Sequence, residues 1–194
     1  MTYNYIAIEG NIGSGKTTLA KKLSESLGYN LILEEFEDNS YLPKFYEDPD
    51  RNAFPLEMSF LAERYKQLRS ININNGIVSD YIFDKSWLFA SINLEDAEAK
   101  IYHKVFKILN TLLPKPDLIV LLESISENLL NNIAERGREY EMNIKSDYLD
   151  KIGAKYKSYF SNQRFKNIIH IDTNVIDLNK AEDYNNLLAR LTNK

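Results

Sequence analysis

The sequence lacks cysteine, which excludes disulfide bonds, thiolate zinc sites and cysteine nucleophiles. It has only two histidines, His103 and His170, and neither has a companion at metal-ligand spacing, so we expect both to be structural or surface residues. The longest apolar run near the middle of the chain, Leu118 to Leu122, is far too short to span a bilayer. A basic and apolar leader segment is missing as well. We therefore expect a cytoplasmic protein with no membrane partner.

The chain also lacks an excess of positive charge. Its 24 Lys and Arg residues against 28 Asp and Glu residues give a net charge of −4. This balance argues against a general nucleic-acid binder, which would need a basic surface. The length of 194 residues fits a single domain over residues 1–194 with a sizeable core. The expected partner is a small molecule rather than nucleic acid.

The most informative stretch satisfies the phosphate-loop pattern G-x-x-x-x-G-K-[ST] at every fixed position. An apolar run precedes it and leucines spaced four residues apart follow it, so its context is strand, loop and helix. In such a loop, backbone N–H groups and the following helix N-terminus bind phosphate oxygens. The lysine adds charge at the β and γ phosphates, and the first threonine offers a hard oxygen to Mg²⁺. The residues predicted to bind the nucleoside triphosphate are Gly10, Asn11, Ile12, Gly13, Ser14, Gly15, Lys16, Thr17 and Thr18.

Five apolar segments that alternate with helical patterns are predicted to be strands, at residues 5–9, 30–34, 77–84, 117–123 and 167–172. Near-continuous apolar strands joined by helical crossovers are typical of a parallel sheet with helices on both faces. We therefore predict an α/β protein of the P-loop NTPase fold, with five parallel strands. Its chemistry should lie at the carboxyl ends of those strands.

Two connecting segments carry predictions of their own. Residues 36–55 contain three prolines among many acidic and aromatic residues, and we predict an irregular segment with at most a short helix. Ser124-x-x-Glu127 matches a capping box and is predicted to open the helix after the fourth strand.

Charged residues follow the predicted strands. The second strand ends at Glu34-Glu35, the third at Asp84-Lys85-Ser86, and the helical stretch after the fourth carries Arg136-Gly-Arg138-Glu-Tyr-Glu141. Two further stretches have a matching spacing: Phe45-Tyr46-Glu-Asp-Pro49 and Phe54-x-x-Glu57-x-x-x-Leu61-x-x-Arg64. Together with the phosphate loop, they resemble the deoxynucleoside kinases, especially the bacterial deoxyadenosine and deoxyguanosine kinases. The resemblance extends over nearly the whole chain.

The resemblance implies transfer of the γ-phosphate of ATP, with Mg²⁺, to the 5′-hydroxyl of a deoxynucleoside. It also implies a lid at about residues 134–146 and a homodimer, for which the pattern around Tyr102, Val105 and Phe106 offers a face. The implied catalytic residues are Glu34 as the base and Lys16, Lys85, Arg136 and Arg138 as cations. Phosphoryl transfer suits this set, because it needs alignment, cations and one proton acceptor.

The acceptor site follows from the same resemblance. Glu34 matches the family's catalytic Glu, while Glu35 stands at the usual proline position, and only one of two strand neighbours can point at the nucleoside. Lys85 stands where the family usually has Arg. The residues implied to bind the substrate are Glu34, Tyr46, Glu57, Arg64, Asp84, Phe89 and Glu141, and those implied to hold the metal are Thr17 and Asp84.

Glu57 stands where the family often has a Gln. An ionised carboxylate only accepts hydrogen bonds, so Glu57 fits the two donors on guanine. Deoxyadenosine remains as good an alternative, with Glu57 accepting from the exocyclic amine and Arg64 donating to a ring nitrogen. A purine is therefore predicted. Phe89 is placed to stack on the base, and Trp87 is an alternative.

Two other classes of protein compete with this prediction. A signalling GTPase would need Asn-Lys-x-Asp, and Asn179-Lys180-Ala181-Glu182 ends in the wrong acid. A nucleoside monophosphate kinase of the thymidylate kinase type would need additional cations for the acceptor phosphate.

Overall fold

The sheet is the frame on which every other element rests. The computed structural model describes residues 3–36, 38–161, 165 and 167–192. Its strands are β1 (Tyr5–Gly10), β2 (Asn30–Ile32), β3 (Ile77–Ser79), β4 (Leu118–Glu123) and β5 (Ile168–Asp172). All pair in parallel in the order β2-β3-β1-β4-β5, so the predicted five-stranded parallel sheet is confirmed.

Helices connect the strands and cover both faces of the sheet. They are α1 (Lys16–Leu27), α2 (Tyr41–Glu47), α3 (Pro49–Arg69), α4 (Lys85–Asn93), α5 (Asp96–Asn110), α6 (Ser126–Arg136), α7 (Ser146–Phe160) and α8 (Ala181–Thr192). Short 3₁₀ turns lie at Ile73–Asn75 and Glu139–Glu141. Within the described ranges, no helix is both long and apolar enough to cross a bilayer.

The central strand β1 shows how the two faces are filled. Successive side chains of a strand point to opposite faces. Tyr5 and Ala7 accordingly join the core beneath α3, α4, α5 and α7, whereas Ile6 and Ile8 join the core beneath α1 and α8. All four are at most 2% exposed. Because both faces are apolar and buried, the polar groups available for chemistry collect at the carboxyl edge.

The third strand is shorter than predicted. It ends at Ser79 rather than continuing to residue 84. The backbone N–H of Ile82 donates to Glu9 Oε1 over 2.9 Å, and Lys85 N donates to the Ile82 carbonyl as α4 begins. The chain therefore leaves the sheet at Asp80. The backbone N–H of Ile82 bonds the buried carboxylate of Glu9 in β1 instead of a carbonyl of a neighbouring strand.

Residues 36–55 are largely helical, so the prediction of an irregular segment was wrong. Most of the segment lies in α2 and the first turns of α3. Pro43 and Pro49 fall in first turns, where a missing N–H costs no helical hydrogen bond. The carboxylate of Asp48 also caps α3 by accepting from Arg51 N at 3.3 Å.

The predicted capping box before α6 is also wrong. Ile125 occupies the N-cap position of that helix. The hydroxyl of Ser124 donates instead to Asn174 Oδ1 at 3.2 Å, and Ile125 N donates to the same oxygen at 3.1 Å. The side chain of Asn174, after β5, therefore takes the place of the expected local cap.

The face of α5 that the sequence predicted to pair in a dimer packs against the core of the chain itself. Tyr102 and Phe106 are 0% and 5% exposed and belong to the core of the chain itself, and Val105 is partly buried against that core. Another face of α5 carries an exposed apolar stripe of Ile101 and Ile108, 57% and 66% exposed, and Leu112, just after the helix, is 60% exposed. The apolar surface available to a partner on this helix is therefore a different one from that predicted.

Candidate active site

The phosphate loop connects β1 to α1, as the motif predicted. Gly15 caps α1 with a φ of 88°, in the left-handed region that favours glycine. Gly13 has a φ of 78°, and a Cβ there would lie 2.7 Å from the carbonyl oxygen of Leu129 in α6. The loop thus passes so close to α6 that only glycine fits.

Lys16 lies half-buried against this loop and lines both cavities of the site. Its Nζ donates to the Asn11 carbonyl at 2.7 Å. Burial and the nearby ammonium of Lys85 lower the pKa of Lys16 to about 8, against the attraction of Glu9. Two cations therefore lie close together where a polyphosphate would bring negative charge.

Asp80, the first residue after β3, connects two parts of the site. Its Oδ2 accepts from the hydroxyl of Thr17 at 2.6 Å, and its Oδ1 accepts from the backbone N–H of Glu34 at 2.8 Å. Thr17 and Asp80 therefore present a hydroxyl and a carboxylate side by side. These are hard oxygen donors of the kind that Mg²⁺ prefers.

Asp84 does not lie at that position, so its prediction as the strand-end acid beside the phosphate loop was wrong. It is the N-cap residue of α4, and its Oδ1 accepts from the hydroxyl of Tyr159. The physical reason is the early end of β3, which places Asp80 at the sheet edge and Asp84 four residues further on. Among the residues described, no group of three or more His, Asp or Glu side chains forms a self-contained metal cage.

Glu34 follows β2 and is held by two cations. Oε2 lies 2.5 Å from Lys85 Nζ, and Oε1 lies 2.6 Å from Arg64 Nη2. Burial by itself would raise the pKa of Glu34, but Lys85 and Arg64 outweigh burial and lower it to about 2. The carboxylate is therefore ionised throughout the neutral range. The neighbouring Glu35 is exposed, which favours Glu34 as the functional carboxylate.

Arg64 has other hydrogen-bond partners than the sequence suggested. Its Nε donates to Glu34 Oε1 at 2.7 Å, and its Nη1 donates to the Ser86 hydroxyl at 2.8 Å. Glu57 is hydrogen-bonded by Asn93 instead, whose Nδ2 donates to Glu57 Oε1 at 2.7 Å. Arg64 thus orients the carboxylate of Glu34 and acts on Glu57 only through its charge.

Glu57 is 1% exposed, and its second oxygen, Oε2, has no hydrogen-bond partner in the part of the chain that the structure describes. Burial raises the pKa of Glu57 to about 7, even though Arg64 and the Asn93 hydrogen bond lower it. A buried polar atom of this kind is costly unless a ligand or water satisfies it. Glu57 lines a narrow cavity of about 110 Å³, which makes a ligand the natural partner.

The other predicted acceptor residues mostly meet around that cavity. Tyr46, Phe89 and Glu141 all line it. Phe89 also belongs to the hydrophobic core, and Lys85 Nζ lies 5.5 Å from the centre of its ring. Trp87 stacks instead on His103 at 5.0 Å and does not line the cavity. The structure therefore favours Phe89 over Trp87 as the ring beside a bound base.

The turn between α6 and α7 supplies the predicted arginines. Gly137 ends α6 with a φ of 68° and turns the chain back over the site. Arg136 Nη2 donates to Glu141 Oε2, and Arg138 Nη1 lies 3.5 Å from Glu141 Oε1. The guanidinium of Arg138 also lies 4.3 Å from the Phe36 ring centre. One buried carboxylate therefore holds both arginines at the mouth of the site.

Two cavities meet at these residues. The first, of about 770 Å³, extends from the phosphate loop along α6 to the residues after β5. The second is the narrow cavity lined by Glu34 and Glu57. The residues that line both cavities are Gly13, Lys16, Thr17, Arg136 and Arg138. A group that passed from one cavity to the other would do so between a lysine and two arginines.

Sequence reasoning missed three residues of the site. Asp80 directly follows the apolar residues 77–79, and an acid at the end of an apolar run indicates the end of a strand. The apolar residues that come after Asp80 made the strand look longer and so hid this signal. Asn93, at the end of α4, and Tyr148, on α7, carry no motif. They matter only because the fold brings them to Glu57.

Comparisons with known proteins agree with this geometry. A family model described as deoxynucleoside kinase matches residues 6–194. The Bacillus subtilis (strain 168) deoxyguanosine kinase is 40% identical over 161 residues, covering 80% of this chain and 78% of that protein. The deoxyadenosine/deoxycytidine kinase of the same organism is 35% identical over 165 residues, covering 80% of this chain and 76% of its own.

Solved structures resemble the fold as a whole. The structure of deoxyadenosine kinase from M. mycoides with bound dCTP matches with a TM-score of 0.85 at 23% sequence identity. The match covers 97% of this chain and 99% of that one. It supports the same arrangement of sheet and helices in both proteins.

Proposed function

The chain belongs to the deoxynucleoside kinase family, and from this premise we propose that it phosphorylates a purine deoxynucleoside at the 5′-hydroxyl with ATP as donor. The observation that carries the proposal is the meeting of the two cavities. The larger one has the phosphate loop as its wall, and the narrower one has a buried carboxylate beside two cations. ATP in the first and a nucleoside in the second would place the γ-phosphate and the hydroxyl at their junction.

In this proposal the residues at the junction divide the work. Glu34 accepts the hydrogen bond of the 5′-hydroxyl and takes its proton late, because a loose transition state makes little demand on a base. Lys16 and the two lid arginines, Arg136 and Arg138, stabilise charge on the transferring phosphoryl group. Lys85 holds Glu34 in place and keeps it ionised.

We assign the metal to Thr17 and Asp80. These two residues would hold a magnesium ion, which would neutralise part of the negative charge of the nucleotide phosphates. Two protein oxygens suit Mg²⁺, which usually keeps several waters and binds substrate phosphates.

The acceptor residues give the proposal its substrate. In this proposal Tyr46 and Glu141 bind the 3′-hydroxyl and Phe89 stacks on the base, and all three line the narrow cavity. Glu57 Oε2 is the buried acceptor that a purine edge would satisfy. The narrow cavity of about 110 Å³ is smaller than the roughly 300 Å³ of a small ligand site. The lid, which we place at about residues 134–146, must therefore move to admit the nucleoside.

The decisive experiment measures ATP consumption with each of the four deoxynucleosides and their 5′-monophosphates. The proposal expects turnover with deoxyguanosine or deoxyadenosine and none with the monophosphates, because Lys85 and Arg64 are already paired with Glu34, and Arg136 and Arg138 with Glu141, so an acceptor phosphate would have to compete for them. Turnover only with a monophosphate would identify a nucleoside monophosphate kinase instead. Nucleotide hydrolysis with no acceptor would favour a P-loop GTPase-type switch.

We also propose a homodimer, paired through the exposed stripe of α5. Ile101 and Ile108 lie two turns apart on one exposed face of α5, and the exposed Leu112 follows just after the helix ends. We expect light scattering at micromolar concentration to return twice the 22.6 kDa of one chain, and Ile108→Glu to reduce it to one. Lys107→Glu, on an exposed position of the same helix, is the control. A monomer mass for the unaltered protein would contradict the proposal.

A further inference from the structure

The two carboxylate oxygens of Glu57 differ, because Oε1 accepts a hydrogen bond from Asn93 and Oε2 has no partner among the described residues. Within the described residues, three buried side-chain polar atoms have no partner: Ser14 Oγ, Tyr102 Oη and Glu57 Oε2. Of these, only the Glu57 oxygen belongs to an ionisable residue that lines the acceptor cavity. A ligand in this cavity would therefore meet Glu57 Oε2 as a buried polar atom that still lacks a hydrogen bond.

A chain of two hydrogen bonds fixes the other oxygen. The Tyr148 hydroxyl donates to Asn93 Oδ1 at 3.0 Å, and Asn93 Nδ2 donates to Glu57 Oε1 at 2.7 Å. Burial, and then the charge of Glu57, raise the pKa of Tyr148, so its hydroxyl keeps its proton and remains a donor. Because Tyr148 occupies the Asn93 carbonyl, the Asn93 amide must turn its N–H toward Glu57.

We propose that Asn93, oriented by Tyr148, is a positioning residue that confines the proton of Glu57 to Oε2 and so sets base choice. Oε1 faces a donor and cannot carry a proton. Oε2 is therefore an acceptor when Glu57 is ionised and a donor when it is neutral. This inference rests on the proposed function and specifies how that site selects its substrate.

The two forms of Glu57 suit different purines. Ionised Oε2 accepts from a ring N–H, as in guanine, whereas protonated Oε2 donates to a bare ring nitrogen, as in adenine. The balance lies in the neutral range, because burial raises the pKa of Glu57 to about 7. The titratable and charged groups that face Glu57 from α3, α4, α5, α7 and the segment after β2 are Arg64, Lys85, Tyr102, Tyr148 and Glu34. The shifted pKa values of Arg64, Tyr102, Tyr148 and Glu34 keep each of them in one charge state between pH 6 and pH 8, and Lys85 Nζ is paired with Glu34 Oε2 at 2.5 Å.

The test is competition between deoxyguanosine and deoxyadenosine at pH values from about 6 to about 8, a range in which Glu57 is expected to change its charge. For the unaltered protein, we expect the ratio of kcat/KM values, deoxyguanosine over deoxyadenosine, to rise at least about fivefold with pH. Glu57→Gln has no proton to lose at this position, so its ratio should not change with pH. A flat ratio in the unaltered protein, or a sloping one in Glu57→Gln, would overturn the inference.

Two variants test the hydrogen-bond chain itself. Tyr148→Phe frees the Asn93 amide to turn its carbonyl toward Glu57, which moves the proton to Oε1 and leaves Oε2 an acceptor at every pH. For Tyr148→Phe, the deoxyguanosine over deoxyadenosine ratio should therefore be independent of pH and equal to the value that the unaltered protein reaches at high pH. Asn93→Asp replaces the N–H donor with a carboxylate oxygen that can only accept, so the proton of Glu57 would lie on Oε1 between the two carboxylates, and this ratio should also stay at the high-pH value. Tyr29→Phe, which loses a tyrosine hydrogen bond of 2.9 Å to the Tyr3 carbonyl, is the matched control and should keep the original profile.

Competition makes these results robust to folding, because a ratio does not depend on how much enzyme is active. A merely structural role for Asn93 and Tyr148 would lower activity toward both nucleosides and leave the pH profile in place, which would overturn the inference. Phosphorylation with a pH-independent ratio would overturn it while leaving the proposed function intact. A protein that phosphorylates no deoxynucleoside at any pH would overturn both.

Discussion

The donor and acceptor sides of this site are built in different ways. The donor side is formed by backbone, in one continuous stretch from Gly10 to Thr18 at the end of β1. The acceptor side is formed by side chains that are far apart in sequence, such as Glu34, Glu57 and Asn93, and that hold one another. The difference teaches that a phosphate site can be specified locally, whereas base recognition depends on long-range packing.

The electrostatics follow the same division. On the donor side, burial and Lys85 lower the pKa of Lys16, and an incoming polyphosphate would relieve the repulsion between these two cations. On the acceptor side, the charge of Glu34 is already matched by Lys85 and Arg64. The donor side is thus prepared for a charged ligand and the acceptor side for a neutral one.

The largest effect should come from Lys16→Ala on the donor side. It removes the half-buried cation of the phosphate loop, and we expect phosphoryl transfer to fall on the order of a thousandfold, with weaker ATP binding. Lys157→Ala, at an exposed position of α7, is the control for loss of a lysine. Steady-state kinetics and ATP titration check both, and near-normal turnover would contradict the donor assignment.

Glu34→Gln should give the next largest effect, on the acceptor side. We expect turnover to fall about a hundredfold while nucleoside and ATP binding remain measurable, because the proton acceptor is lost and the pockets are kept. Calorimetric titration and single-turnover kinetics separate the two. Glu35→Gln changes an exposed neighbour and should have little effect. If Glu35→Gln were the slower variant, the base would be Glu35.

Asp80→Asn and Asp84→Asn compare the acid that we propose as the metal ligand with the one that the sequence predicted. Asp80 contacts Thr17, so Asp80→Asn should raise the Mg²⁺ concentration needed for half-maximal rate by about ten- to a hundredfold. Asp84→Asn loses charge at a bond to Tyr159 and should leave the Mg²⁺ requirement near its original value. The reverse order would return the metal to Asp84.

The smallest effect concerns stability without ligands. Burial raises the pKa of Glu57 to about 7 in the folded chain, from an ordinary value of 4.5. Between these values the unfolded chain loses its proton first, so the free energy of unfolding falls as pH rises. Glu57→Gln has no such loss, and at pH 8 relative to pH 5 it should gain on the order of 1 to 3 kcal/mol over the unaltered protein. Denaturant unfolding at both pH values measures this, with the exposed Glu47→Gln as control; equal differences at both would contradict it.

The sequence was sufficient wherever the signal was local. The apolar strand segments predicted all five strands and their parallel arrangement, and the phosphate loop needed only its own residues. It was insufficient where a distant residue decided the outcome. The strand before Asp80 reads as longer because Tyr81, Ile82 and Phe83 continue its apolar character, and what ends it is Glu9, 73 residues away from Ile82.

Helix α5 shows a second limit. It carries one apolar set at Ile101 and Ile108 and another at Tyr102 and Phe106, and both have helical spacing. Only packing against the sheet determines which set is buried. The same holds for Asn93, because its role depends on the position of Tyr148 and not on any neighbour in the sequence.

The carboxylate of Asp80 couples the donor side of the site to the acceptor side. One of its oxygens accepts a hydrogen bond from Thr17 and the other accepts one from the backbone N–H of Glu34, so a shift of Thr17 is transmitted to Glu34 and the reverse. A metal-bound nucleotide that drew Asp80 away from Thr17 would therefore also act on the hydrogen bond between Asp80 and the backbone N–H of Glu34. By thermodynamic linkage, the factor by which the donor then alters affinity for the nucleoside equals the factor by which the nucleoside alters affinity for the donor. The order in which the two substrates arrive would not change that shared factor.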